Sequence, residues 1–232
     1  MVYTRSMRAL AALMLVFTMS HALVGCSGKS VDESDPAQLY KDALEEIESD
    51  HYQLAIDKLR AVKNKFPYSK YALDAHLKIG DVLFLQESFA EAAATYESFR
   101  DLHPKHEKVA YAMFRIAKSY YNDMPSTVAR DMTSGSHALD AYNDFLRRFP
   151  SAPESAEAQK DMTEVRNKLA DKELYVANFY WRENQFDSAK GRFEKIIALY
   201  PDTRAAQEAG EKIHKIAEGG KHNEGEQGAR KR

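Results

Sequence analysis

Cysteine is nearly absent from this chain: Cys26 is the only one in 232 residues. No disulfide can therefore form within one chain, and stability has to come from packing. An excess of one charge is missing too. Lys and Arg number 33 against 35 Asp and Glu, a net charge of −2, which gives no electrostatic case for nucleic acid. Apolar runs are short. The longest mostly apolar reach, Ala9 to Phe17, falls well below the roughly 20 residues needed to cross a bilayer. No segment alternates with a period of two over strand length, so the fold is expected to be all-α.

Catalytic patterns are also missing. Gly28-Lys29-Ser30 imitates the end of a phosphate-binding loop, but Leu23 stands where its first glycine belongs and no strand pattern precedes it. His103-Pro104-Lys105-His106-Glu107 brings two histidines and an acid together, yet it straddles a helix break and lacks the order of a zinc-binding helix. Acidic pairs such as Glu45-Glu46 read as solvated helix faces. No nucleophile stands in a recognisable motif. The expectation is a protein without catalysis, cofactor or metal.

What is present begins at the N-terminus. Arg5 and Arg8, without an acid, precede the short apolar stretch, as in an export signal. The run Leu23-Val24-Gly25-Cys26 resembles the bacterial lipoprotein box, which implies cleavage after residue 25 and acylation of Cys26. Several acyl chains, at about 0.8 kcal/mol per buried CH₂, make a stable anchor. The other reading is a plain secretory signal followed by a chance cysteine. Ser27 is not the aspartate that retains enterobacterial lipoproteins at the inner membrane, so the expected place is the outer membrane, facing the periplasm. Residues 26–35 then form a lipidated polar tether, and 218–232, rich in glycine and basic at its end, a disordered tail.

Between tether and tail the sequence repeats. The stops Phe66-Pro67, His103-Pro104, Phe149-Pro150 and Tyr200-Pro201 each end an amphipathic run, because proline disfavours helix at the residue before it. Twelve residues before the four prolines stand Ala55, Ala92, Ala138 and Ala189. Four residues past each alanine stands a bulky apolar residue: Leu59, Tyr96, Tyr142 and Phe193. Ala43, Gly80 and Ala177 stand twelve before three of the alanines, small enough to let paired helices approach closely. The pattern resembles the tetratricopeptide repeat, a helix-turn-helix solenoid unit of about 34 residues.

Two irregularities break the register. In the third repeat Ala117 lies 21 residues before Ala138, so nine residues are inserted, and a loop is expected over 122–135. A further 14 residues separate the third repeat from the fourth, which predicts one long helix from Glu154 to Arg182. The expected organisation is repeats at about 36–68, 70–105, 107–151 and 153–202, closed by a helix over 204–217.

Such stacks hold peptides or partners along a concave wall of first helices. The candidate substrate contacts are Tyr40, Tyr68 and Tyr71 with His76, Lys78 and Asp81, since rigid aromatic side chains make strong anchors. Packing between neighbouring helices is the alternative role for Tyr40 and Tyr71.

Taken together, the chain resembles the BamD (ComL) family of lipoproteins, which serve the insertion of β-barrel proteins into the outer membrane. The carrying residues are the box ending at Cys26, Phe66-Pro67-Tyr68-Ser69, the looped repeat with Ala129-Arg130-Asp131, Arg166-Asn167-Lys168-Leu169-Ala170, Glu173-Leu174-Tyr175-Val176-Ala177, Arg192-Phe193-Glu194 and Tyr200-Pro201-Asp202-Thr203. The resemblance implies a non-enzymatic scaffold. Its C-terminal repeats would hold periplasmic domains of the barrel-shaped subunit, beside other assembly lipoproteins, and its N-terminal repeats would receive unfolded outer-membrane proteins. Arg130, Asp131 and Arg192 are the partner contacts it suggests, with an ordinary exposed arginine the alternative for Arg192. Family members commonly complete a fifth repeat, whereas this chain turns polar after Ala217. A different envelope repeat protein, acting in cell division or peptidoglycan synthesis, is the competing identity.

Overall fold

The computed structural model describes residues 34–229, with side chains through Glu218; Cys26 and the export segment lie outside the described residues. The elements are helices α1 (Pro36–Glu48), α2 (Tyr52–Lys65), α3 (Lys70–Leu85), α4 (Phe89–Leu102), α5 (Val109–Asp123), α6 (Thr133–Arg148), α7 (Ser155–Arg182), α8 (Phe186–Leu199) and α9 (Arg204–Ala229). No strand occurs among the described residues. The first helix starts where Asp35 accepts a hydrogen bond from the Ala37 amide at 2.8 Å and Pro36 fills the first turn, where its missing N–H leaves no bond unmade.

Two turn types alternate. At the ends of α1, α3 and α7 the amides of His51, Ser88 and Gln185 bond the carbonyls of Glu46, Leu83 and Tyr180, each at 2.9 Å. This Schellman closure satisfies carbonyls the helix end would orphan. The residue before each donor sits at positive φ, namely Asp50 at 58°, Glu87 at 59° and Asn184 at 57°. Each lies five residues before a repeat alanine. None is glycine, so the closed turn holds a conformation that costs an L-residue about 1–2 kcal/mol. The second type follows the X-Pro stops. Phe66, His103, Phe149 and Tyr200 share one backbone shape, φ from −127° to −133° and ψ from 49° to 58°. Their carbonyls accept from the amides of Ser69, His106, Ala152 and Thr203.

Because most turns are short, neighbouring helices run antiparallel. All four register alanines are fully buried, as are Ala43, Ala117 and Ala177. Gly80 shows why smallness is needed there: a Cβ on it would lie 2.7 Å from the Tyr96 ring. Three apolar clusters result. The first joins α1 to α5, the second α5, α6 and the first half of α7, and the third the second half of α7 with α8 and α9.

The long helix is thus shared. Ala158, Val165 and Leu169 pack with Tyr142 and Phe145 of α6, whereas Ala170, Leu174 and Ala177 pack with Phe193 and Ile196 of α8. Fourteen extra residues lengthen a helix by about 21 Å. The α8–α9 turn therefore meets α7 midway, where Arg166 reaches Asp202 at 2.5 Å and the Leu199 carbonyl at 3.4 Å.

Two boundaries differ from the expectation. The inserted loop is shorter, since α6 already begins at Thr133 and Gly135 is buried inside it. A Cβ on Gly135 would lie 3.0 Å from the Met124 sulfur and 3.3 Å from Leu169. The other repeats have an aromatic at this register position (Tyr52, Phe89, Phe186); here the buried Met124 and Met132 fill the space. At the other end α9 continues to Ala229, past the expected stop at Ala217. The register position that is alanine or glycine in the other first helices is His214 in α9, 75% exposed and 3.3 Å from Glu218. With a histidine in place of the small residue, the outer face of α9 is polar, as in the terminal helices of repeat arrays.

Candidate functional site: a groove on the first helices

Within α3 the residues Asp74, Leu77, Lys78 and Asp81 recur at three- and four-residue spacing, so they share one face. With Tyr40 of α1, and with Lys108 and Tyr111 at the start of α5, they line a cleft of about 420 Å³. Asp81 is its centre. Its Oδ1 accepts from the Tyr96 hydroxyl at 2.7 Å and the Tyr111 hydroxyl at 2.5 Å, and its Oδ2 from Lys78 Nζ at 2.8 Å. Arg115 Nε donates to the Tyr96 hydroxyl at 3.1 Å, and its guanidinium lies 3.9 Å from the centre of the Phe84 ring. Across the cleft Lys108 Nζ is 2.5 Å from Asp74.

Electrostatics follow from this geometry. Burial, then the charge of Asp81, pushes the Tyr96 and Tyr111 phenols well above their ordinary range. Tyr40 is raised by burial and by Asp74 and Asp81. All three hydroxyls therefore stay protonated and remain donors. Two lysines and two aspartates nearly cancel, leaving aromatic walls around fixed hydrogen-bonding groups. That arrangement suits the side chains and backbone of an extended polypeptide.

The structure brings Tyr40, Lys78 and Asp81 together, and places Tyr71 behind Tyr40, ring centres 5.5 Å apart. Tyr68 is wholly exposed on the α2–α3 turn, outside the cleft lining. His76 corrects the sequence reading. It is 5% exposed, packs edge-on against Phe99 at 5.7 Å, and faces the second helices rather than the groove. Burial pushes its pKa down to about 4. The reading also missed Asp74, Lys108, Tyr111 and Arg115. A signal existed, because Tyr111 and Arg115 lie 37 residues after Asp74 and Lys78, the spacing of Gly80 from Ala117.

A second candidate lies at the other end. Arg192 lines a cleft of about 400 Å³ with Tyr180, Asp187, Ser188, Gly191 and Lys195. Glu173 of α7 accepts from Arg192 at 2.9 Å and from Lys195 at 2.6 Å. Burial opposes its ionised form, but these bonds outweigh it and hold its pKa below the ordinary value. The Arg192 side chain is still 40% exposed. In the loop, Lys172 of α7 donates to the carbonyls of Ala129 and Arg130 at 3.3 and 2.9 Å. Asp131 accepts from the amide and hydroxyl of Thr133, which anchors the start of α6. Asp131 thus has a structural task, while Arg130 is exposed. No group of His, Cys, Asp and Glu among the described residues could hold a metal ion.

The profile of the YfiO family, described as outer membrane lipoprotein, matches residues 32–221, the whole helical array but the end of α9. "Outer membrane protein assembly factor BamD" of Vibrio cholerae is 29% identical over 217 residues, covering 88% of this chain and 87% of that one. The protein of the same name from Neisseria gonorrhoeae is 26% identical over 214 residues, covering 85% and 80%. Among solved structures, a tetratricopeptide repeat protein from Parabacteroides merdae is similar with a TM-score of 0.42 and 16% identity, over 72% of this chain and 67% of that one.

Proposed function

Since the chain belongs to the YfiO family of outer membrane lipoproteins, we propose that it is a lipid-anchored scaffold of outer-membrane β-barrel assembly, holding the barrel subunit at one end and unfolded clients at the other. The observation that carries this reading is the similarity to BamD proteins over 88% of the chain, which spans both the groove and the Arg192 cleft. The groove supports the client role. Its wall offers tyrosine rings and protonated hydroxyls beside matched charges, which anchor the aromatic and polar side chains that alternate along an unfolded β-strand. The Arg192 cleft supports the partner role: an acidic side chain of a periplasmic domain would find Arg192 and Lys195 side by side. Cys26 would carry the lipid that keeps the array at the periplasmic face of the outer membrane.

Site-specific photo-cross-linking tests the client role. A cross-linker at Lys78 should capture a newly exported barrel protein, and one at Asp57, exposed on a second helix, should not. Capture at Asp57 with none at Lys78 would overturn it.

A further inference from the structure

The alternation of turns gives the array two edges with opposite charge. Odd-numbered helices run one way and even-numbered helices the other, so the turns α2–α3, α4–α5 and α6–α7 share an edge with the start of α1. The turns α1–α2 and α3–α4 and the loop α5–α6 lie on the opposite edge. Segments 63–70, 100–107 and 146–153 on the first edge, together with Asp35 at the start of α1, carry seven Lys and Arg against three Asp and Glu. Segments 47–54, 84–91 and 124–132 on the second carry one against five. Arg100 is matched by Asp101 and Arg147 by Asp144, so the excess rests chiefly on Lys63, Lys70, Lys105 and Arg148.

We infer that this basic edge of the first three repeats lies against the anionic headgroups of the membrane. Resting on the reading of Cys26 as a lipid anchor, the inference adds an orientation to it. Nine residues separate Cys26 from Pro36, and Pro36 opens α1 on the basic edge. The anchor therefore delivers that edge to the bilayer. Each Lys or Arg near an anionic surface multiplies the population there by about fivefold, over a range of about 8–10 Å. Exposed apolar side chains do not distinguish the edges, since Tyr68 and Leu102 on one are matched by Leu54 and Leu85 on the other; charge does. The α8–α9 turn, set back along α7 by the long helix, stands away from this surface. The Arg192 cleft then faces the periplasm, where a soluble domain can reach it.

The test uses the lipidated full chain. Its only cysteine is the acylated one, so a cysteine introduced elsewhere takes a fluorescent label alone. Leu102→Cys and Leu85→Cys report the two edges on vesicles of phosphatidylethanolamine with phosphatidylglycerol, and on phosphatidylcholine vesicles, with neutral acrylamide as the aqueous quencher. The label at 102 should be protected on the anionic vesicles only, about fivefold or more relative to the label at 85. Adding K63E, K105E and R148E together should abolish that protection. Equal quenching at both positions on anionic vesicles, or protection unchanged by the three reversals, would overturn the inference. Flotation with phosphatidylcholine vesicles reads the anchor separately: failure to float would remove the anchor, while floating with both labels equally quenched would keep the anchor and remove the orientation.

Discussion

His76 illustrates how one side chain sets a pH response. Its folded pKa is pushed down to about 4 by burial, aided by the charges of Lys63 and His103, against an ordinary value near 6.5. A histidine held neutral in the fold stabilises fully above 6.5, and that contribution is lost as pH falls toward 4. The expected result is a urea midpoint that declines between about pH 6.5 and 4.5, with most of the decline absent in His76→Leu. An unchanged slope in the variant would assign the acid sensitivity to other groups. The glycines make a sharper pair. Gly80→Ala should destabilise by about 1–3 kcal/mol, because the added carbon meets the Tyr96 ring and overpacking outweighs propensity. Gly191→Ala and Gly210→Ala have nothing within 4 Å of the new carbon, so they should stabilise by about 0.5–1 kcal/mol. Equilibrium unfolding of the three variants checks both signs. At this scale the sequence was only partly legible. Small residues at a fixed register announced close packing, but nothing local to His76 told that its ring turns toward Phe99 rather than Tyr40.

Among the elements, the loop of the third repeat and the long helix depend on each other. Lys172 holds the loop through two carbonyls, and Met124 and Met132 are buried beneath it against Gly135 and Leu169. Lys172→Ala should speed proteolytic cleavage after Arg130 several-fold without changing the free energy of unfolding by more than about 1 kcal/mol. An unchanged cleavage rate would mean the methionines alone hold the loop. Met132→Ala should cost about 2–5 kcal/mol, since it opens a cavity between two helices. Helix number and turns were readable because proline marks each stop and the alanines keep register. Gly135 misled the reading for a physical reason: glycine in a polar stretch signals a loop, yet here it clears space for methionines that no periodicity announces. The groove was half readable. Tyr40, Lys78 and Asp81 lay on expected first helices, while Tyr111 and Arg115 required extending the 37-residue spacing across the repeat boundary.

At the scale of the whole molecule, the insertion of 14 residues into one helix divides the array into two bodies of work. Three stacked repeats carry the groove, and a set-back pair with its cap carries the Arg192 cleft. The last helix presents a polar face around His214. Under the proposed function, the groove would hold a client while the Arg192 cleft holds the barrel subunit. Affinity capture of the lipidated chain from detergent-solubilised envelopes tests it most directly. Recovery of an outer-membrane barrel protein with periplasmic repeats is expected, reduced about tenfold or more by Arg192→Glu, as truncating or reversing a charge contact buried at an interface costs about 2 kcal/mol or more. Lys195→Ala, which also loses a bond to Glu173, should reduce it less. Recovery of only cell-wall or division proteins, with Arg192→Glu indistinguishable from the unaltered chain, would contradict it.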